Sequence, residues 1–267
     1  MKKNPLISII ISNYNKSNFI LKAVRSCIDQ RYEQKEIIFF DDNSTDKSLK
    51  KIIDFKKKNN LKFRIISNLS KKTYTAPINQ IIAIKKSLKY VKGDFVFLLD
   101  ADDFFHKDKL FEIIKIFKKD KQKKMILDLP IYKYKAKEVK KNYKTSKLKN
   151  KWPKFPPTSC MCFEKKTLQK VINKIDYKKF PNLAIDFYLA VYYSIILKNF
   201  YIHKAYLTYY RQVSDGTDSS YLKFRNKRWW IRRKEAFDFL NELLIRNKLP
   251  SNKSFDFHIT NFLNRFI

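Results

Sequence analysis

Phe95-Val96-Phe97-Leu98-Leu99-Asp100-Ala101-Asp102-Asp103 is the stretch on which the fold turns. A short, continuous apolar run reads as a strand buried on both faces. Three carboxylates within four residues close it. Like charges that near repel unless a cation or hydrogen-bond donors compensate them. In open α/β sheets, ligands occupy the crevice beyond the carboxyl ends of the strands. A divalent metal carrying an anionic ligand is the simplest single cause of such a cluster there.

Upstream, strand-like and helix-like segments alternate. Leu6–Ile11 is a β-branched run ending in Ser12-Asn13-Tyr14-Asn15, and residues 18–30 continue with helical spacing. Glu36–Phe40 is a second strand, stopped by Asp41-Asp42-Asn43-Ser44-Thr45-Asp46. A helix over 47–59, a strand over Phe63–Ile66 and a helix over 77–91 lead to the Gly93-Asp94 turn. Repeated units of this kind predict an α/β domain with a mostly parallel sheet flanked by helices. Asn43 stands where a sharp turn favours positive φ, which Asn tolerates best after Gly.

Downstream of residue 120 the pattern loosens. Residues 133–151 are Lys-rich and read as an exposed loop, and Pro153, Pro156 and Pro157 punctuate the next turn. Thr158–Phe163 reads as a short strand, 164–174 and 183–198 as helices, and Phe200–Tyr210 as a strand. Asp215–Ser219 reads as a linker. From Tyr221 to Asn247 runs a long helical pattern whose buried stripe would carry Trp229, Trp230, Ala236, Phe237, Leu240 and Leu244.

Composition sets outer limits. The 267 residues, 44% hydrophobic, suffice for a large α/β domain with an appendage. Lys and Arg number 59 against 25 Asp and Glu, a net charge of +34 that attracts polyanions. Only two glycines occur amid many Lys, Asn, Ile, Phe and Tyr, a skew that fits drift toward AT-rich codons with Lys on solvated surfaces. Three cysteines without framework or zinc spacing suit a reducing compartment. No signal peptide or spanning segment is expected, which places the protein in the cytoplasm.

Three blocks then stand in order: Ile7-Ser8-Ile9-Ile10-Ile11-Ser12-Asn13-Tyr14-Asn15, Glu36-Ile37-Ile38-Phe39-Phe40-Asp41-Asp42-Asn43-Ser44-Thr45-Asp46, and Gly93 through Asp103. In content and spacing they resemble the family 2 glycosyltransferases with the GT-A fold. The likeness is strong over roughly residues 5–115 and continues more weakly through Pro157-Thr158-Ser159 and Asp186 to Tyr210-Arg211.

This resemblance implies inverting transfer of a sugar from a nucleoside diphosphate sugar, with Mn²⁺ or Mg²⁺ as cofactor. It implies Asp102 as first metal ligand, Asp103 as second, and Asp100 with Ala101 beside the ribose or supporting the metal through water. Asp42, with Asp41 as neighbour, matches the nucleobase position. A carboxylate accepts from N3–H of uracil or thymine or N1–H of guanine, whereas cytosine presents an acceptor at N3. UDP, dTDP or GDP donors are therefore expected over CMP, and UDP foremost. Asp42 also suits a helix cap ahead of Asp46. Ser12 and Tyr14, then Asn13 and Asn15, match positions lining the nucleotide. Asp186 matches the catalytic base, with Ile185 where many members carry a second acid. Arg228 and Trp229 fall in an R-x-x-R-W pattern, Arg225 to Trp229, which in so basic a chain also reads as an ordinary basic helix; they and Arg211 are candidate diphosphate or acceptor contacts. Val213 stands where many members carry His.

The expected division is a GT-A domain over 1–215, with a nucleotide-sugar half (1–120) and an acceptor half (121–215), then a helical extension over 216–267. The expected acceptor is a glycan or lipid-linked sugar of bacterial surface polysaccharide, with contact at the anionic cytoplasmic face of the inner membrane. Two rival functions fit less well. A non-catalytic binder of nucleic acid or anionic membrane would not place Asp100, Asp102 and Asp103 in its groove, so no specific nucleic-acid partner is expected. A nucleotidyltransferase would want a Gly-rich phosphate loop after the first strand, and Ser12–Ser17 holds no Gly.

Overall fold

The computed structural model describes residues 4–68, 74–135, 137–141, 152–212 and 226–267. The first half alternates as expected: β1 (Ile7–Asn13), α1 (Ile20–Ile28), β2 (Lys35–Asp41), α2 (Ser48–Lys58), β3 (Arg64–Ser67), α3 (Ala76–Ser87) and β4 (Phe95–Asp100). Then come β5 (Phe104–Phe105), α4 (Lys109–Lys119), β6 (Met125–Lys133) and β7 (Glu138–Lys140). The second half continues with β8 (Met161–Glu164), α5 (Lys165–Lys174), α6 (Ile185–Val191), β9 (Tyr201–Arg211), α7 (Lys227–Arg246) and α8 (Phe255–Leu263).

One sheet runs β3-β2-β1-β4-β8-β6-β9-β5, with β7 paired to β6. The pairs β1–β2, β1–β4 and β2–β3 are parallel. Beyond β4 the sheet turns mixed: β8 is antiparallel to β4 and β6, β9 is parallel to β6, and β5 is antiparallel to β9. The parallel half decides the geometry that matters, because its strands end on one side. Asn13 lies opposite Asp41 in register, and Ser12 opposite Asp100.

Each face of the sheet carries a core. On one, Ile7, Ile9 and Ile11 of β1 pack with Ile20, Ala23, Val24 and Cys27 of α1 and Ile113 and Phe117 of α4. The i, i+3, i+4, i+7 spacing of the α1 residues is what makes that segment a helix with one buried stripe. On the other, Ile10, Leu127 and Phe163 pack with Ile81, Ile84, Leu189 and α7 residues Ala236, Phe239, Leu240 and Leu244. Gly93 is required where β4 begins. A Cβ there would lie 2.7 Å from both the Leu6 carbonyl oxygen and Ser8 Oγ.

Several features depart from the sequence expectation. β6 crosses residues whose sequence predicts no element, because Asp128 and Pro130 interrupt its apolar run; the ladder with β9 is irregular there. β7 lies within the stretch expected to be a loop; it is a three-residue strand without a buried residue, so it carries no hydrophobic signal. The helix expected over 183–198 is α6 followed by a π turn over Tyr192–Ile196. Trp229 and Trp230 are only half-buried, whereas Phe239 and Leu243 join the α7 stripe. The expected linker Asp215–Ser219, Val213, Arg225 and residues 142–151 lie outside the described residues. No helix among the described residues is long and apolar enough to cross a membrane.

Candidate active site

Two loops at the carboxyl ends of β1 and β2 are stitched together by short polar side chains. Asp41 is fully buried, and its carboxylate accepts from Asn13 Nδ2 (2.7 Å), Ser44 N (3.0 Å) and Ser44 Oγ (2.7 Å). Asn15 adopts φ 51°, and its Oδ1 accepts from Thr45 N at 2.8 Å. Asn43 adopts φ 54°, as its place in the turn predicted. Asp46 accepts from Ser17 N (2.9 Å) and Ser48 N (2.8 Å), tying the start of α2 to the loop ahead of α1. Burial tends to raise the Asp46 pKa, but these hydrogen bonds from Ser48 and Ser17 outweigh it and the net shift is downward.

The clasp sets neighbouring carboxylates to different tasks. Asp41 faces inward and holds the loops. Asp42 is 6% exposed and accepts from Asn68 Nδ2 at 2.9 Å, and Asn68 Oδ1 in turn accepts from Lys86 Nζ at 2.9 Å. Asp42 does not cap α2, whose N-cap residue is Lys47. Ser12 and Asn15 are half-buried, Asn13 is buried and Tyr14 is exposed beside the same strand ends.

Asp100–Asp103 forms a tight turn, closed by Asp103 N donating to the Asp100 carbonyl at 2.9 Å and anchored by Ala101 N on the Ser12 carbonyl at 3.0 Å. Each acid again has its own surroundings. Asp100 Oδ1 accepts from Gln80 Nε2 of α3 at 2.7 Å. Asp102 keeps its side chain 16% exposed at the mouth, with Lys16 Nζ 3.4 Å from Oδ2. Asp103 is fully buried and accepts from Ser159 Oγ (2.6 Å) and Arg211 N (2.8 Å). Burial, then the nearby Asp102 and Asp100 charges, push its pKa well above the usual carboxylate range, against those two hydrogen bonds.

Ser159 is the keystone of the turn, since its Oγ also accepts from Asp100 N at 3.0 Å. Its carbonyl is held from below by Lys109 Nζ at 2.6 Å. Lys109 is wholly buried, 2.7 Å from Asp128 Oδ1, and donates to Thr208 Oγ1 at 2.7 Å. Arg211 closes the far side: Nη1 donates to the Asp102 carbonyl at 2.8 Å, and its guanidinium lies 4.9 Å from the Phe19 and Phe104 ring centres.

Asp186 sits in the first turn of α6, half-buried, with Oδ1 accepting from its neighbour Phe187 N at 2.7 Å. The segment leading to it is pinned twice. Thr75 Oγ1 donates to the Pro181 carbonyl, and Asn182 donates through N and Nδ2 to Glu235 of α7 at 2.8 and 2.6 Å. α3 packs on α6 and also sends Gln80 to Asp100, so one helix links the carboxylate turn to the element bearing Asp186. Arg228 and Trp229 open α7. Arg228 is exposed, its N–H bonded to the capping Asn226 Oδ1 at 2.7 Å, and Trp229 packs edge-on against Trp230 at 4.7 Å.

Sequence reasoning does not single out Lys16, Gln80, Ser159 or the Lys109–Asp128 pair. Lys16 is hidden among 59 basic residues, and Gln80 carries no pattern. Ser159 falls within the family resemblance but without a role. Asp128 inside an apolar run is the one available signal, since a buried carboxylate demands a buried partner.

Among the described residues no three His, Cys, Asp or Glu side chains are arranged to hold a metal on their own. The donor set still fits Mn²⁺ or Mg²⁺ completed by a substrate. Such ions take one or two carboxylates and fill the remaining positions with phosphate oxygens and water. Asp102 offers a carboxylate at the mouth on which a cationic group, the Lys16 ammonium, already lies.

Comparisons with known proteins bear on the family and the fold. An uncharacterized glycosyltransferase of Haemophilus influenzae is 38% identical over 108 residues, which is 40% of either chain. The amylovoran biosynthesis glycosyltransferase AmsB of Erwinia amylovora is 30% identical over 109 residues, 40% of this chain and 34% of that protein. The chain thus spans well under half the length of these two relatives. Among solved structures, S. aureus TarS in complex with UDP-GlcNAc superposes with TM-score 0.61 at 15% identity, over 90% of this chain and 72% of that one. The mannosyltransferase PcManGT of Pyrobaculum calidifontis, in complex with GDP-Man and Mn²⁺, gives 0.59 at 14% identity, over 92% and 65%. The two structures share the fold, a curled α/β sheet flanked by helices. The profile of glycosyl transferase family 2 matches residues 8–175, more than half of the chain, and the protein belongs to that family.

Proposed function

We propose that the chain transfers a sugar, with inversion, from a nucleoside diphosphate sugar to a hydroxyl of a glycan or lipid-linked acceptor in bacterial surface polysaccharide synthesis. A UDP-sugar is the donor of first choice. The observation that carries this reading is the convergence of the Asp100–Asp103 turn, Asp42 and the β1 end at one edge of the parallel strands. Support also comes from similar proteins solved with UDP-GlcNAc or with GDP-Man and Mn²⁺, and from a relative named for amylovoran synthesis.

In this reading Asp42 accepts the base N–H, and Ser12, Asn13, Tyr14 and Asn15 border the nucleotide. Asp102 would be the first metal ligand; Asp103, expected as the second, is instead fully buried with its carboxylate taken by Ser159 Oγ and Arg211 N, so it would buttress the turn, and Asp100 with Ala101 would face the ribose or support the metal through water. Held by Asp102, Mn²⁺ or Mg²⁺ would supply positive charge against the departing diphosphate. Asp186 takes the proton of the acceptor hydroxyl as that oxygen bonds to the anomeric carbon. The bond from that carbon to the diphosphate oxygen breaks on the opposite face, and the diphosphate leaves with its electron pair. Arg211, Arg228 and Trp229 are assigned to diphosphate or acceptor. Residues 1–120 form the donor half and 121–215 the acceptor half, with residues 216–267 extending the latter. The cytoplasmic face of an anionic membrane is the place of work.

Calorimetric binding of UDP, GDP, dTDP and CMP, with and without Mn²⁺, tests it. UDP, GDP or dTDP should bind more tightly with Mn²⁺, and D102A should lose that gain. D186N should keep donor binding and lose transfer by at least about a hundredfold. Absence of metal-dependent nucleotide binding in the unaltered protein would overturn the reading, and unchanged turnover in D186N would reject the base.

A further inference from the structure

Lys16 enters the carboxylate turn from the loop between β1 and α1. Its ammonium lies 3.4 Å from Asp102 Oδ2, and the two side chains are 14% and 16% exposed. A tight charge-assisted bond runs about 2.7–2.9 Å. The buried Lys109–Asp128 pair meets that range at 2.7 Å, whereas the Lys16–Asp102 pair is longer. At 3.4 Å the Lys16–Asp102 pair is an ion pair rather than a tight charge-assisted hydrogen bond.

The backbone of Lys16 is held at both its N–H and its carbonyl. Lys16 N donates to Ser48 Oγ at 3.0 Å, and its carbonyl accepts from Phe19 N and Ile20 N at 2.8 and 3.0 Å. On either side stand Asn15 in the left-handed conformation and Ser17, held by Asp46. The four-carbon stem of a lysine then pivots from a fixed point, carrying a compact positive charge with three donors.

A divalent ion and an ammonium cannot share one carboxylate without mutual repulsion. The diphosphate of a sugar donor carries two negative charges, which one divalent ion balances, and further negative charge appears on its outer oxygen as the bond to the sugar breaks. Building on the diphosphate-sugar reading above, we propose that Lys16 is an exchangeable counter-cation. It would pair with Asp102 until a divalent ion takes that carboxylate, and then turn to the diphosphate oxygens, where negative charge builds as the diphosphate leaves.

The proposal predicts effects of opposite sign from one substitution. In nucleotide-free protein, K16M should bind Mn²⁺ roughly threefold more tightly, read as free Mn²⁺ by electron paramagnetic resonance, because the competing ammonium is gone. In calorimetry with saturating Mn²⁺, K16M should bind UDP roughly tenfold more weakly, and K16R should recover most of that loss. A second pair removes the carboxylate from the comparison: in metal-free buffer, D102N should bind UDP at least as well as the unaltered protein, and K16M/D102N more weakly than D102N. If K16M binds both Mn²⁺ and UDP unchanged, or binds both more weakly, the proposal is overturned. If the unaltered protein binds no nucleoside diphosphate under any condition, the underlying functional reading fails instead.

Discussion

Asp41 and Asp42 are adjacent carboxylates with different surroundings, and only the backbone decides which is which. Asp41 ends β2 opposite Asn13, so its side chain meets the Asn13 amide and the Ser44 hydroxyl. Asp42, one residue on, is carried to the other side, where it meets Asn68. Residue type and spacing alone make them a pair of equals, and only the family resemblance favours Asp42. Asn43 is legible because its positive φ is a matter of local sterics. Asp46 gives a prediction at this scale. Its folded pKa lies below the unfolded value of about 3.9. The stability it contributes is therefore present above that value and lost as pH falls through the folded pKa. In urea unfolding, D46N should be less stable than the unaltered protein by about 0.5–1 kcal/mol at pH 7, because the group is solvent-screened, with the difference shrinking as pH falls below the unfolded value of about 3.9. A difference independent of pH would reject the assignment.

At the scale of elements, the helices and parallel strands before residue 100 are readable because hydrophobic period and turn residues agree there. β6 and α4 are not, because each carries a charge in its buried face. Lys109 and Asp128 are fully buried, and neither would sit there alone. Together with Thr208 and Ser159 they join α4, β6, β9 and the turn before β8 under the Asp100–Asp103 turn. Leaving Asp128 without its cation should cost about 3–5 kcal/mol. K109M is thus expected to lower the urea midpoint sharply, and K109M/D128L to recover much of the loss. Equal stability of K109M and the unaltered protein would show that the pair holds nothing together.

At the scale of the whole molecule, the charge of +34 and the surface of α8 belong together. Phe255, Phe262 and Phe266 are 79%, 57% and 75% exposed, and the rings of Phe262 and Phe266 lie 5.1 Å apart. The opposite side of α8 is packed, with Thr260 bonded to Arg233 and Asn264 to the Trp230 carbonyl. A groove lined by Lys234, His258 and Arg265 runs beside it. Phenylalanines flanked by cations suit the boundary between headgroups and acyl chains of an anionic bilayer. The protein should therefore co-sediment with phosphatidylglycerol vesicles and not with phosphatidylcholine vesicles, and less well at high salt. Replacing the three phenylalanines by serine should reduce partitioning at least about tenfold. Absence of sedimentation of the unaltered protein with anionic vesicles would remove the membrane from the functional reading.

The sequence by itself determined the βα order of the first half, the placing of acids at strand ends, and the family. These come from short-range physics: hydrophobic period, turn sterics and the repulsion of clustered carboxylates. Only the tertiary structure decided how the acids divide their work. Asp103 turns into the core, Asp102 stays at the mouth beside Lys16, and Asp100 meets Gln80. Those roles depend on partners 20 to 108 residues away in sequence, which chain spacing does not encode. The opening run Phe95–Asp103 fixes where the three carboxylates cluster, and the packing of α3, α4 and β9 around it fixes which of them is buried and which stays partly exposed.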